Sequence, residues 1–171
     1  MSNAAGDAAP LAELLRSGFQ PHLMPKHKKG LQRFSYQQPT LGEGKKKSLT
    51  RLCTTDMIYS AMHMLQEGGD APLHLHAAMD QVWFVVQGSA VFQDGEGNAH
   101  TVNQFEGMCV PRGTAYGYRK DGPSPLLLLQ FVALNAKAKK NTLKFLGVKH
   151  NAEVQDVTSA RTELLDAMLS A

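Results

Sequence analysis

Residues Gly68 to Gly88 constrain this chain more than any other stretch. His74 and His76 stand one residue apart within it. On an extended segment side chains alternate between faces, so both imidazoles point the same way. Two imidazoles on one face can share a borderline metal ion such as zinc, iron, manganese, nickel or copper. The alternative is two polar residues hydrogen-bonded in a barrel mouth without a metal. Gln81 follows after a short gap, then Trp83 and Val85 at a spacing of two, then a turn at Gly88. This reads as a strand, a short loop, a second strand entered by a polar residue, and a turn.

From Leu49 onward the sequence consists of short apolar runs separated by glycine, proline or aspartate. Candidate strands are 49–53, 57–66, 73–76, 82–86, 90–93, 99–102, 108–110, 115–119 and 126–133. Asp94-Gly95 and Gly97-Asn98 mark a tight hairpin. Many short strands with regular turns imply an all-β sandwich or barrel. Residues 31–36 form a further candidate strand. Pro10 to Arg16 suits a short N-terminal helix. Val154, Val157, Arg161, Leu164, Leu165, Met168 and Leu169 follow helical spacing, which predicts a C-terminal helix. The expected division is an N-terminal extension over 1–48, a barrel over 49–134 and a C-terminal extension over 135–171. No internal repeat is visible.

A net charge of +3 comes from short basic runs, Lys26–Lys29, Lys45–Lys47 and Lys137–Lys140, all expected outside the barrel core. No aromatic residues are interleaved for base stacking, so nucleic acid is not the expected partner. No apolar run approaches membrane-spanning length, and no signal peptide is visible. The two cysteines, Cys53 and Cys109, have no paired spacing. Cys109 reads as a small core residue. A cytoplasmic protein is expected on these grounds. Strands within 31–53 have no obvious partner in the barrel, which suggests a homodimer paired through an edge strand.

Two motifs resemble the cupin superfamily. The first has Gly68, His74, His76, position 81 and Gly88 at the family spacing, with Gln81 where the family has glutamate. The second is Gly107-Met-Cys-Val-Pro111-Arg-Gly113-Thr-Ala-Tyr116, with Tyr116 where the family has histidine. The resemblance covers about residues 49–134 and implies a double-stranded β-helix, or jelly-roll, barrel. It also implies a divalent transition metal held by His74, His76, Gln81 and Tyr116. Asp80 is a minor alternative ligand, because strand parity turns it away from position 81.

The range of activities implied is a small-molecule isomerase or epimerase, lyase or dioxygenase. The alternatives are a non-catalytic small-molecule-binding or sensory module and a metal-free isomerase of the sugar type. Tyr116 and His63 are the candidate catalytic acid–base groups. His63 lies between Met62 and Met64, and the sequence leaves open which parity faces the cavity. Tyr118, Trp83, Phe92 and Phe131 read as pocket wall or core, and Arg112 and His100 as surface groups. His22, His27 and His150 carry no signal.

Overall fold

The structure is a computed structural model, and it describes residues 31–134, 143–146, 155–159 and 161–165. The described elements are all strands: β1 Leu31–Ser35, β2 Lys47–Thr54, β3 Ile58–Leu65, β4 Ala71–His76, β5 Met79–Gln87, β6 Ser89–Asp94 and β7 Ala99–Asn103, followed by β8 Gly107–Val110, β9 Tyr116–Asp121, β10 Leu126–Leu134, β11 Leu143–Phe145, β12 Gln155–Ser159 and β13 Arg161–Leu165. A six-stranded sheet has the order β12-β2-β3-β10-β5-β8. A five-stranded sheet has the order β11-β4-β9-β6-β7, and β1 pairs with β13 as a separate ribbon. Neighbours are antiparallel except β12 and β2, which run parallel.

Glycine, proline and aspartate punctuate the chain where the sequence places turns. Asp94 closes the β6–β7 hairpin, its Oδ1 accepting from the backbone N–H groups of Glu96 and Asn98, both at 2.9 Å. Gly88 turns β5 into β6 at φ 82°, and a Cβ there would meet the Pro125 carbonyl oxygen at 2.9 Å. Both facts require glycine at that position.

The two larger sheets sandwich the core. Leu65, Trp83, Val85, Leu126 and Leu128 from one sheet pack with Ala90, Phe92, Tyr116 and Tyr118 from the other. A second interior cluster joins Leu49, Tyr59, Ala61, Met79 and Val132. Between these clusters β3, β10 and β5 each turn one polar side chain inward: His63, Gln130 and Gln81, all buried.

The outer face of the six-stranded sheet carries a third cluster of Leu52, Met62, Met64 and Leu127, covered in part by Tyr36 and Leu41. The methionine parity of β3 therefore faces outward and His63 faces the barrel interior. Phe131, expected as core or wall, lies on the outer face and is 47% exposed. Cys109, expected in the core, is exposed on the edge strand β8 opposite Val82.

Residues 155–159 and 161–165 fall within the expected C-terminal helix, yet they are strands. Here β2 offers an open ladder to β12, and β1 offers one to β13. Main-chain pairing with an existing strand outweighs a helical period in a short segment. The expected N-terminal helix lies outside the described residues. The homodimer was expected because strands within 31–53 lacked partners; β1 finds β13, and β2 finds β3 and β12, all within the chain. Lys47, read as part of an exterior basic run, is buried at 3% exposure. Among the described residues no helix is long and apolar enough to cross a membrane.

Candidate functional site

The alternation of β4 turns His74 and His76 inward, at 7% and 9% exposure. Their ring centroids lie 5.1 Å apart in an edge-on arrangement. His74 pairs in register with Tyr116 on β9, and their rings are 4.4 Å apart. Tyr116 donates from its hydroxyl to Gln81 Oε1 at 3.1 Å. The structure thus brings His74, His76, Tyr116 and Gln81 together. The backbone ties the two motifs as well, since the Gly113 N–H donates to the His76 carbonyl at 2.8 Å.

Each histidine has a distinct environment. His74 Nδ1 lies 2.7 Å from the Pro72 carbonyl oxygen, which can only accept, so the proton sits on Nδ1 and Nε2 carries the lone pair. His76 Nδ1 is buried without a hydrogen-bond partner. Burial, with a smaller contribution from His74, pulls the His76 pKa down to about 3. His76 is therefore neutral at physiological pH, as a metal-ligating imidazole must be.

Gln81 and Tyr116 are committed elsewhere. Gln81 Oε1 accepts from Tyr116 and from Gln130 Nε2, the latter at 2.7 Å, which fills both its lone pairs. Burial pushes the Tyr116 phenol well up, only partly offset by its bond to Gln81, so it stays protonated. Two imidazoles thus fit a transition ion, and the orphaned His76 Nδ1 is the atom that asks for one. Gln81 and Tyr116, as arranged, would first have to give up their mutual bond. Among the described residues no three His, Cys, Asp or Glu side chains cluster as a metal site.

His63 sits deeper in the barrel. Its Nε2 donates to Gln130 Oε1 at 3.0 Å, and its Nδ1 accepts from the Tyr118 hydroxyl at 3.2 Å. The Lys47 ammonium donates to the Tyr118 oxygen at 2.9 Å and lies 4.7 Å from the centre of that ring. Sequence reasoning missed Lys47 and Gln130. The signal available for Gln130 was a lone amide at inward parity in the apolar run Leu126–Leu134.

Asp80 faces the other way, as parity predicts. It accepts from Arg112 Nε, Nη2 and the backbone N–H, at 2.7–3.1 Å, tying β5 to the turn after β8. Asp80 and Arg112 are each other's partner at the surface. His100 is exposed and bonded to Asp94.

Gly117, between the two inward tyrosines, lets β4 approach closely. A Cβ there would sit 2.9 Å from the Ala71 carbonyl oxygen and 3.1 Å from the Leu73 nitrogen. Gly117→Ala must push away the strand that carries both histidines. It is expected to cost about 1–3 kcal/mol of stability, read as a lower denaturation midpoint, and to weaken ligand binding at His74 and His76 in the same preparation.

Residues 61–132 match the family model for a cupin domain. The chain is similar to a double-stranded β-helix protein from Klebsiella pneumoniae subsp. pneumoniae at a TM-score of 0.54 and 18% identity, covering 64% of this chain and 84% of that one. It is also similar to an RmlC-like cupin family protein from Methanocaldococcus jannaschii at 0.51 and 14% identity, covering 61% and 92%. At these identities the likeness concerns the fold alone. No curated protein matches the chain.

Proposed function

We propose that this chain, whose residues 61–132 match a cupin domain, is a small-molecule enzyme in which His74 and His76 would hold a divalent transition ion. The observation that carries this reading is the neutral, buried His76 with an unpartnered Nδ1 beside His74. A bound ion would supply Lewis-acid polarisation of a substrate oxygen. The reaction classes that use this are isomerisation, epimerisation and lyase chemistry.

The chain's own residues do the remaining work. His74 is fixed in one tautomer by Pro72. Tyr116 offers a neutral hydroxyl that donates to whichever acceptor competes best with Gln81. Trp83, 2% exposed and 6.3 Å from Tyr116 between ring centres, gives the site an apolar wall. No carboxylate appears among the four residues brought together, so an ion there would have only neutral ligands and would exchange readily.

A second reading is a metal-free binding or isomerase site, favoured by the saturation of Gln81 Oε1. The two are separated by calorimetric titration of zinc into chelator-stripped protein. Wild type should bind, and His76→Ala should lose binding. Gln81→Glu, which adds the missing negative charge, should tighten it by about 10–100-fold, the range seen when groups around a metal are altered. Equal binding by wild type and His76→Ala sinks the metal reading and leaves the metal-free pocket.

A further inference from the structure

We propose that Lys47, at the far end of a buried hydrogen-bonded chain through Tyr118, His63 and Gln130, is a positioning residue that decides whether the Gln81 oxygen and the Tyr116 hydroxyl are available to a ligand. This rests on the reading of His74 and His76 as the ligand-holding pair.

The chain has a single polarity. Lys47 Nζ donates to Tyr118, and Tyr118 donates to His63 Nδ1. His63 Nε2 donates to Gln130 Oε1, because an amide oxygen can only accept. Gln130 Nε2 donates to Gln81 Oε1, where Tyr116 also donates. Two primary amides lie in the path, so it carries orientation and not protons. Side-chain hydrogen bonds among buried groups act together in this way.

One other arrangement satisfies the same atoms. His63 carries its proton on Nδ1 and donates to Tyr118, and Gln130 turns its nitrogen to His63. Gln81 then turns its nitrogen to Gln130 and Tyr116. In that state Gln81 Oε1 accepts from neither neighbour, and the Tyr116 hydroxyl hydrogen is released for a ligand. The proton count is unchanged: one proton leaves His63 Nε2 to water and one arrives at Nδ1.

Lys47 decides between the two. As an ammonium it only donates, so in the reversed state the Tyr118 hydroxyl would face two donors and its own hydrogen would have no acceptor. A buried unsatisfied hydroxyl is strongly disfavoured. As a neutral amine, Lys47 accepts that hydrogen and both states are allowed. Burial pulls Lys47 down to about pKa 7, with Asp70 acting in the opposite sense. Among the described residues the groups that face it are Tyr118 on β9, His63 on β3 through Tyr118, and Asp70 ahead of β4. Asp70 in turn feels Glu67, Arg119 and Lys120.

The test is nitrogen-15 NMR of His63 in metal-free protein from pH 5.5 to 9. Within the neutral fraction of His63, wild type should show only the Nε2–H tautomer at the acid end. A growing share of Nδ1–H should appear as pH rises, with a midpoint near that of Lys47. Lys47→Met should make the profile flat. Tyr118→Phe, which keeps the lysine and cuts the chain, should do the same and covers the case where the first variant does not fold. Across the same window zinc affinity should rise by about tenfold more in wild type than in either variant. A flat wild-type profile, or one that persists in both variants, overturns the proposal. The His63 signal needs no metal, so failure of wild type to bind zinc counts against the metal reading alone.

Discussion

Trp83→Ala is expected to lower stability by about 3–5 kcal/mol, the range for deleting a large buried aromatic. Trp83 is 2% exposed and lies in the cluster that joins the two sheets. Its ring centre is 4.8 Å from that of Tyr118, 4.9 Å from that of His63 and 6.4 Å from that of Phe92. The expected loss includes a cavity as well as lost contacts. The denaturation midpoint should fall with little change in slope. Trp83→Phe should recover part of it. A loss below about 1 kcal/mol would mean that the two sheets close over the gap.

Acid should unfold the metal-free protein through His76. Its folded pKa, about 3, lies below the ordinary 6.5, so in that interval the unfolded chain binds more protons than the folded one. Stability therefore rises with pH across the window and is lost as pH falls from about 6.5 toward 3. The full effect is on the order of 5 kcal/mol. Urea titrations at stepwise pH should show it in wild type, and His76→Gln should flatten that part of the curve. A wild-type curve that matches His76→Gln would show that the imidazole is not held neutral by burial.

The barrel strands were legible because they are short and separated by turn residues, and because β5 keeps strict alternation from Gln81 through Val85. The same parity separated Gln81 from Asp80, and the two fall on opposite faces. His63 could not be oriented from sequence because β3 is covered on both sides. Met62 and Met64 pack outward under Tyr36 and Leu41, while His63 packs inward. An apolar residue then marks neither face. Lys47 was hidden for a different reason. It ends a run of three lysines, and only its pairing opposite Leu65 shows that the last of them enters the barrel. The strands over 155–159 and 161–165 were not legible because a helical period within one short stretch says nothing of a distant strand in need of a partner.

The parallel pairing of β12 with β2 has a consequence for how the chain is made. On a ribosome β2 emerges long before β12 exists, and contacts of such separation form slowly. Throughout that interval one side of β2 presents bare amide and carbonyl groups, with Leu49 and Leu52 along its length. An unpaired strand of this kind is a template for joining another nascent chain. Lys45 and Lys46 stand at its entrance, both outside the strand. Charge at that position repels a second copy approaching in register and gives the strand time to wait for its own partner.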